Sequence, residues 1–584
     1  MQDYFTDYAI INHLCKERIK LAGSLHDRQY IRRLAGHHRE AQPAHPFYRL
    51  LPPRKQWNAY RRRFRSPDTN PDLAALKYAV RVLRNQQPEP LWVTELNRYI
   101  AGISRRVFGC NAFGFTSPDI RWKRKTEGGH EYRALCRFSP DDNLILCLFA
   151  RYLRDKFDAG FSASSFAFRA LNTQGQIPTH TDAFNELFAL RQSAPAQDLY
   201  VAECDIRGFF DAVNHELALT AFQQAAAGRN LHPRSEAIFR AYLNCYSFPI
   251  NVLAEATPRL RAEDAEGFFK WPEAELRKFH ANPRNQRIGI PQGGAISGVI
   301  ANLMLDAADK VVEGQPDDRS IHYYRFCDDM VLISPNKTHC ETAFKAYLNK
   351  LTDLQLPYHA PESTCVYGAK HWEHKSKSPY CWSGRKWFGC VPWVQFVGYQ
   401  IRYDGLVRPR KDSIRKQAKK IQETTQKLVG GLFRASQEQQ ILASRGQVHA
   451  SLRAKLTAQG VGKVNWNPVN GPRLMCWAAG FKGLHEKPFI PGSLRFLDHA
   501  RTQQIRRFSA VRIPFGDGRM GQSTNRTSPI GYAFSYDGQF TNTGGRQLIE
   551  NPWHPHNLME KGQSYLYYNT QSFYKWCRKT IDKL

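Results

Sequence analysis

The order of strand-like and helical segments predicts an α+β fold with a split βαβ sheet at its centre. Residues 199–206, Leu-Tyr-Val-Ala-Glu-Cys-Asp-Ile, are typical of a buried strand that ends at an acid. Residues 297–312 have the apolar spacing of a helix, and they follow a glycine-rich turn. Residues 322–333 are typical of a β-hairpin whose tip carries Asp328 and Asp329. Strand, helix and hairpin in this order are parts of a split βαβ unit.

Further segments on both sides of this centre predict additional elements. Residues 1–65 are largely helical and basic, and residues 119–137 are basic and strand-like. Residues 143–157 have helical spacing, residues 395–402 predict a strand, and residues 411–433 predict a long basic helix. A chain of 584 residues is long enough for two to four domains.

The charge of the chain indicates a polyanionic partner. It has 83 Lys and Arg residues against 52 Asp and Glu residues, a formal net charge of +31. A basic surface can simply keep a protein soluble, but an excess of this size favours nucleic acid.

The cysteine pattern and the hydropathy indicate a cytoplasmic protein without a membrane partner. The 13 cysteines are scattered and form no C-x-x-C pair. No signal peptide is recognisable at the first residues, and no run of about 18 apolar residues could span a bilayer. Reduced thiols in a cytoplasm are the simplest interpretation.

Three acids stand where metal ligands would be expected. Asp205 lies at the end of the first predicted strand, and Asp328 and Asp329 lie at the hairpin tip. Hard cations such as Mg²⁺ take oxygen ligands, and two ions about 3.5–4 Å apart can activate a hydroxyl and stabilise a departing pyrophosphate. The three acids therefore predict a two-metal nucleotidyl-transfer site.

Several separated segments resemble those of bacterial reverse transcriptases, in the same order. Residues 324–329, Tyr-Arg-Phe-Cys-Asp-Asp, resemble the Tyr-x-Asp-Asp segment of that family. Other similar segments are 205–215 (first catalytic segment), 290–302 (nucleotide and template contacts), 396–399 (primer grip), 404–411 (start of the thumb), and 133–135 and 165–169 (fingers). The resemblance covers roughly residues 120–430.

The resemblance implies a right-hand polymerase with fingers, a ferredoxin-like palm and a helical thumb, extended at both ends. The domains it implies are 1–70 (basic helical extension), 71–404 (fingers and palm), 405–485 (thumb) and 486–584 (extension of unknown role). The implied activity is RNA-directed DNA polymerisation with Mg²⁺, two ions per site, and with Mn²⁺ as an alternative. The implied partners are an RNA template, a DNA product and deoxynucleoside triphosphates.

The resemblance also implies a role for individual residues. Asp205, Asp328 and Asp329 correspond to the catalytic acids, which would hold the metals together with Ile206. Phe210 corresponds to an aromatic steric gate that would exclude a 2′ hydroxyl. The remaining substrate contacts implied are Arg133 on the triphosphate and Gln292 and Gly293 at the incoming base and template. The nucleic-acid contacts implied are Gly398, Tyr399, Arg408, Arg410, Lys411 and Lys416.

The sequence departs from the family pattern at several positions. Phe326 replaces a tyrosine, and Ser363 stands where relatives often carry a lysine that could protonate pyrophosphate. His359 and Lys370 are candidate substitutes for that lysine. Glu131 also stands where many relatives have a basic residue.

The type of reverse transcriptase is inferred by elimination. No His-Asn-His endonuclease pattern and no Val-Thr-Gly thumb motif is recognisable, so the chain is most similar to the bacterial defence-associated, abortive-infection type. We therefore expect a dedicated non-coding RNA as template, with a homo- or hetero-oligomer as a further possibility. The alternatives are an RNA-dependent RNA polymerase, and an RNA-binding maturase or scaffold with a secondary polymerase site.

Two smaller features remain open at the level of sequence. A Cys/His cluster could bind Zn²⁺, although its spacing fits no common finger and a basic loop is the other interpretation; its members are Cys365, His371, His374, Cys381 and Cys390. Tail tyrosines could prime DNA synthesis through a hydroxyl or could simply pack; these are Tyr565, Tyr567 and Tyr568.

Overall fold

The structure is a computed structural model of the chain. The residues that it describes are 1–28, 46–64, 70–86, 90–125, 129–172, 175–195, 197–254, 268–315, 320–363, 367–368, 370–385, 389–438, 441, 443–461, 477, 479–484, 487–490, 492–513 and 515. They fall into two compact units. Unit 1 comprises Met1–His13, Leu96–Val397 and Ile401–Gly405, and unit 2 comprises Leu14–Glu95, Gly398–Gln400 and Leu406–Leu584. Residues 71–95, predicted with the fingers and palm, thus cluster with unit 2.

Groups of helices and groups of strands follow one another along the described chain. The helices are α1 (Asp7–Arg28), α2 (Pro46–Arg49), α3 (Arg54–Asn58), α4 (Pro71–Gln86), α5 (Leu91–Phe108), α6 (Pro140–Phe157), α7 (His180–Ser193), α8 (Phe209–Ala212), α9 (His215–Ala226), α10 (Ser235–Asn244), α11 (Glu273–Leu276), α12 (Ser297–Glu313), α13 (Lys337–Asp353), α14 (Lys411–Glu438), α15 (Arg445–Val461) and α16 (Gly492–Ser509). The strands are β1 (Asp119–Arg124), β2 (Glu131–Arg137), β3 (Leu199–Asp205), β4 (Phe268–Phe269), β5 (His322–Phe326), β6 (Asp329–Ser334), β7 (Lys377–Trp382), β8 (Cys390–Val391), β9 (Trp393–Phe396), β10 (Tyr399–Arg402) and β11 (Val407–Pro409).

The central sheet of unit 1 has the strand order β5-β6-β3-β7-β8. β3 lies antiparallel to both β6 and β7, and β5 pairs antiparallel with β6. Chain order β3, β5, β6, β7 with spatial order β5-β6-β3-β7 is the ferredoxin-like arrangement, since β6 separates β3 from β5. The ferredoxin-like palm and the α+β class predicted from the sequence are confirmed.

The palm strands are apolar because the sheet is buried. In β6 the residues from Met330 to Ser334 are all buried. Helix α13 packs on β3, β6 and β7 and closes one face of the sheet. Helix α12 is buried along much of its length and packs against α13, so Gly298 and its neighbours lie in the core. This rigid layer fixes the strand ends at which the acids lie.

A second sheet of unit 1 is small and basic. β1 and β2 form an antiparallel pair, and β4 adds to β2 in parallel. The predicted strand at 395–402 is wrong in one respect, because β9 ends at Phe396 and β10 begins at Tyr399. Val397 and Gly398 between them have φ angles of 43° and 89°, which no extended strand allows.

Unit 2 has its own apolar core. Helices α14, α15 and α16 pack together around Ile421, Leu428, Leu452 and Leu497, all nearly inaccessible to solvent. The basic helix predicted at 411–433 is confirmed and extends to Glu438. Within the described residues, no helix is both long and apolar enough to cross a membrane.

Candidate active site

The acids predicted as metal ligands come together at one edge of the palm sheet. Asp205, the last residue of β3, lies directly opposite Asp329, the first residue of β6. Asp328 precedes Asp329 in the β5–β6 turn and is half-buried. Burial raises the pKa of the Asp328 carboxyl, and the charge of Asp205 raises it further. The Asp205 and Asp328 carboxylates therefore repel each other. A bound cation would relieve this repulsion.

The turn that presents Asp328 has a strained backbone. Cys327 has a φ of 63°, in the left-handed region that non-glycine residues rarely adopt. Arg325 holds this conformation, because its Nη1 donates a 2.9 Å hydrogen bond to the Cys327 carbonyl oxygen. The backbone of Arg325 is itself fixed, since its N–H donates to the Ser164 carbonyl and its carbonyl accepts from the Phe166 N–H. The hairpin tip is thus held from the fingers side as well as by its own strands.

Arg325 is fully buried and paired with an acid on helix α12. Its Nε and Nη2 donate to the two carboxylate oxygens of Asp309 at 2.7 and 2.6 Å. The Tyr323 hydroxyl donates to the same carboxylate at 2.7 Å. Neither Arg325 nor Asp309 has an exposed side chain. A buried pair with this bidentate geometry fixes the position of the hairpin relative to the helix.

A lysine and a histidine contact the Asp205 carboxylate. Lys375 Nζ lies 2.7 Å from Asp205 Oδ2, and His359 Nε2 lies 3.5 Å from the same oxygen. Burial lowers the pKa of His359 to about 4, and the Lys375 charge lowers it as well. Of the two substitutes proposed for the family lysine, His359 therefore lies at the site as a neutral ring. Lys375 was not predicted.

The backbone beside Asp205 is also held by the segment that carries Lys375. The Ser376 hydroxyl accepts a 3.0 Å hydrogen bond from the Asp205 N–H. The next residue, Lys377, forms a buried 2.5 Å ion pair with Glu203, two positions before Asp205 on β3. The Tyr380 hydroxyl donates to the other Glu203 oxygen at 2.6 Å. These contacts fix the start of β7 against the end of β3.

The residues at this edge fit a divalent metal site. Mg²⁺ is commonly held by one or two carboxylates, with water and substrate phosphates as the other ligands. Asp205 and Asp328 supply hard oxygen donors close enough to perturb each other, and a cationic ammonium already lies against Asp205. Ile206 is buried beside them, with its chain direction fixed by a bridge to Tyr358. In the part of the chain that the structure describes, no group of three His, Cys, Asp or Glu side chains forms a ready metal cluster.

Three of the described cysteines and histidines of the Cys/His segment lie in strands or in a short 3-10 helix. Cys381 and Cys390 lie opposite each other on the parallel strands β7 and β8. His371 is buried among rings, 4.9 Å from Trp372 and 5.4 Å from Tyr380 between centroids. Cys365 lies outside the described residues, so zinc binding stays an open prediction.

The predicted gate and base-contacting residues are linked through the backbone. The Ile290 N–H donates to the Phe210 carbonyl at 2.7 Å, which joins the gate segment to the Pro-Gln-Gly loop. Phe210 is partly exposed, whereas its neighbour Phe209 is buried in the core. Of these two phenylalanines, Phe210 is therefore the one that a substrate can contact.

Asp211 holds the Gln292 side chain through a hydrogen bond. Gln292 Nε2 donates a 2.8 Å hydrogen bond to Asp211 Oδ1, and the Gln292 carbonyl accepts from the Cys136 N–H on β2. Gly293 has a φ of 99° and is exposed, so the backbone there is open to a close approach. Arg133 is exposed on β2, and its charge acts on Asp211. Arg133, Gln292 and the gate segment therefore belong to one neighbourhood.

The Asp211 carboxyl predicts a specific pH dependence of stability. Burial raises its pKa from near 3.8 to about 7, although the Gln292 hydrogen bond and the charges of Lys125 and Arg133 oppose the shift. Between these values the folded state binds more protons than the unfolded state, so the free energy of unfolding falls as the pH rises from about 4 to 7. The slope is at most about 1.4 kcal/mol per pH unit. Asp211→Asn should flatten this part of the profile, as measured by urea unfolding.

A matched control for this experiment is Asp353→Asn, because that carboxylate is 64% exposed. Its profile should follow the wild type. An Asp211→Asn profile that also follows the wild type would contradict the assignment of a raised pKa.

The predicted nucleic-acid contacts of unit 2 differ in exposure. Lys411 and Lys416 are exposed on the first turns of α14. Arg408 and Arg410 are half-buried, with Arg408 donating to Gln400 at 2.7 Å and Arg410 to Asp412 at 3.1 Å. Gly398 accepts from the Arg410 N–H at 2.8 Å.

Tyr399 does not fit its predicted role as a nucleic-acid contact through its side chain. The side chain is buried, with its ring 5.2 Å from that of Phe481. Its hydroxyl donates to the Gly480 carbonyl at 3.0 Å and accepts from the Gly483 N–H. These contacts give it a packing role in unit 2.

Some of the other predicted residues lie outside the part of the chain that the structure describes. Lys370 is exposed in a short 3-10 helix (Lys370–Trp372). Tyr565, Tyr567 and Tyr568 lie outside the described residues, as does the C-terminal extension after residue 515. The sequence did not predict a role at the site for three residues, which are Lys375, Ser376 and Asp309. Only Asp309 carried a signal, as an acid on the otherwise apolar helix α12.

A comparison with protein families gives a match over part of the chain. The family model described as "Reverse transcriptase (RNA-dependent DNA polymerase)" matches residues 123–361. A search of curated proteins found no match. The matched segment includes Asp205, Phe210, Gln292 and the Asp328–Asp329 pair.

Telomerases are among the solved structures that resemble the chain. Apo telomerase from Candida tropicalis is 11% identical, with a TM-score of 0.32, over 85% of this chain and 82% of that chain. A form truncated from the C-terminal domain is 14% identical, with a TM-score of 0.30, over 54% of this chain and 59% of that chain. Candida albicans telomerase with a TWJ fragment of telomeric RNA is 9% identical, with a TM-score of 0.27, over 73% and 71%.

These distant structures do not identify the class of the protein. The family match and the geometry of the site support it instead. Residues 123–361 match the reverse transcriptase family, whose members are RNA-directed DNA polymerases that use divalent metal.

Proposed function

We propose that the chain carrying this domain is a Mg²⁺-dependent RNA-directed DNA polymerase that copies an associated non-coding RNA and acts in bacterial antiphage defence. The single observation that supports the chemistry best is the meeting of Asp205 with Asp328 and Asp329 at one strand edge. Phe210 follows Asp205 by five residues and is partly exposed. When bound, two divalent ions would activate the primer 3′ hydroxyl and stabilise the leaving pyrophosphate.

The residues of the chain supply the orientation that this chemistry needs. Asp205 and Asp328 would hold the cations, with the Ile206 carbonyl as a further oxygen donor, and Asp329 would complete the acidic edge. Gln292, held by Asp211, would position the incoming base, and Arg133 would bind triphosphate oxygens. Lys375 lies on an Asp205 oxygen that would also hold a cation, so the ammonium and the cation would compete for that oxygen.

The substrate preference predicts the behaviour of Phe210 variants. Phe210→Ala should raise the ratio of ribonucleotide to deoxynucleotide incorporation by about 10- to 200-fold, since it opens space for a 2′ hydroxyl. Single-nucleotide extension of an annealed primer, with each nucleotide at varied concentration, measures this ratio.

Phe210→Tyr is the matched control, because it keeps the ring and should keep the wild-type preference. If the wild type incorporates ribonucleotides as efficiently as deoxynucleotides, the chain is an RNA-dependent RNA polymerase instead. If Phe210→Ala leaves selectivity unchanged, Phe210 is a packing residue and not a gate.

The template and the biological role rest on charge and on resemblance. The net charge of +31 supports a nucleic-acid partner that stays bound to the protein even when no DNA is being synthesised. Sequencing the RNA and DNA that co-purify with the wild-type protein tests the template, and one abundant RNA with complementary DNA is the expected result. Phage challenge of cytoplasmically expressed wild type and an acid variant tests the defence role. Equal survival of both strains would contradict a role that needs synthesis.

A further inference from the structure

A short segment of unit 2, outside the reverse transcriptase domain, has an extreme charge bias. Residues 46–86 contain ten basic residues and two acids. The basic residues are Arg49, Arg54, Lys55, Arg61, Arg62, Arg63, Arg65, Lys77, Arg81 and Arg84, and the acids are Asp68 and Asp72, of which Arg65 and Asp68 lie outside the described residues. The whole chain has 83 basic residues to 52 acids, so this segment is far more basic than the average.

The two acids do not balance the ten cations of this segment. Asp72, the acid that the structure describes, has its Oδ1 2.7 Å from Arg61 Nε. Arg49, Arg54 and Lys55 are exposed. Cations that outnumber the neighbouring acids repel one another, and a polyanion relieves that repulsion.

The fold holds the basic side chains outward. Trp57 is 5% exposed, and its burial anchors helix α3 against α4. Lys55 precedes Trp57 by two positions and lies on another side of the helix, whereas Arg54, three positions before Trp57, lies on the same side; both residues are exposed. The Arg54 guanidinium lies 5.9 Å from the Trp57 ring centroid, which restricts its position.

Aromatic rings accompany these cations. Tyr60 and Tyr78 meet edge to face at 5.0 Å, and Phe64 lies 5.4 Å from Tyr78. Arg63 is exposed and lies 5.7 and 5.8 Å from the two tyrosine centroids, with Nη1 donating to the Tyr78 hydroxyl at 3.1 Å. Tyr60, Phe64 and Tyr78 are each only partly buried. Rings next to cations form the combination on which unpaired bases stack while phosphates are neutralised.

We propose that this N-terminal basic surface, formed by Arg49, Arg54, Lys55, Tyr60, Arg63 and Tyr78, binds single-stranded RNA independently of the polymerase site. Its cations contact phosphates, and its rings accept unstacked bases. Single-stranded rather than duplex nucleic acid fits because the rings need bases that are free to stack. The identification of that RNA with the template rests on the proposed function, but the binding itself does not.

The test uses the full chain and a variant that removes three exposed cations, Arg54→Ala/Lys55→Ala/Arg63→Ala. Fluorescence anisotropy with a labelled single-stranded RNA of about 40 nucleotides gives the affinity as a function of salt. The salt slope of the variant should be smaller by about 2, because each phosphate contact on a single strand contributes about 0.7. DNA synthesis on a short annealed RNA–DNA template–primer should keep the wild-type rate.

A matched control removes three cations from helix α13 of unit 1, as Lys337→Ala/Lys345→Ala/Lys350→Ala. Its salt slope should equal that of the wild type. An unchanged slope in the first variant, or equal loss in both variants, overturns the proposal. Equal loss of binding to duplex DNA of the same length overturns the assignment to single-stranded RNA. Because binding is measured without nucleotides, a chain that makes no DNA contradicts the proposed function and leaves this readout intact.

Discussion

Asp328→Asn should reduce DNA synthesis by about 10²–10³-fold or more while the protein stays folded. The substitution keeps the size of the side chain but removes a charged oxygen ligand from the edge shared with Asp205. In the wild type, burial and the Asp205 charge raise the pKa of this carboxyl, so a neutral amide is tolerated by the fold. Primer extension under saturating nucleotide and Mg²⁺ measures the loss.

Metal binding and folding separate the chemical role of Asp328 from a structural one. Electron paramagnetic resonance with Mn²⁺ should show weaker binding by Asp328→Asn, and thermal unfolding should change little. Asp353→Asn, an exposed carboxylate on α13, is the matched control and should retain wild-type synthesis. Full synthesis by Asp328→Asn would remove the basis of the proposed mechanism.

Arg325→Met should destabilise the protein by about 3–5 kcal/mol, because it leaves the Asp309 carboxylate charged and buried without its partner. It should also reduce synthesis, since the Cys327 carbonyl loses the Nη1 donor that holds the turn before Asp328. Urea unfolding measures the first effect, and primer extension of the folded protein measures the second.

A double variant distinguishes stability from positioning. Arg325→Met/Asp309→Asn removes the stranded charge and keeps an acceptor for the Tyr323 hydroxyl, so much of the lost stability should return. Synthesis should remain low, and the concentration of Mg²⁺ needed for half-maximal rate should stay high, because the turn is still unsupported. Recovery of synthesis together with stability would show that the pair serves the fold alone.

The local part of the site could be predicted from the sequence because it depends on neighbouring residues. The apolar run of β3 ends at Asp205, and the β5–β6 alternation breaks at Asp328, so each acid is placed by the period of its own strand. Likewise the apolar spacing of α12 and α14 predicted helices that the structure contains. The break at Val397 and Gly398 was missed, because positive φ at a valine has no signature in composition.

Partnerships between distant residues were beyond the sequence. Asp309 and Arg325 lie 16 positions apart, and Lys375 lies 170 positions from Asp205. Nothing in the local pattern selects Lys375 over Lys370, which was one of two candidate substitutes, with His359, for the family lysine. Tyr399 was assigned to nucleic acid by motif, whereas its contacts with Phe481 and Gly480 show that packing determines its position.

The α+β palm and the identity of its acids could be predicted from the sequence, because strand period and side-chain chemistry are local properties. The same holds for the strong positive charge, which is a sum over residues. The three-dimensional fold was needed to show that Asp205 faces Asp329, that Lys375 lies on Asp205 and that Arg325 supports the turn before Asp328. These contacts depend on how strands far apart in the chain come into register, and burial in a close-packed core fixes that register.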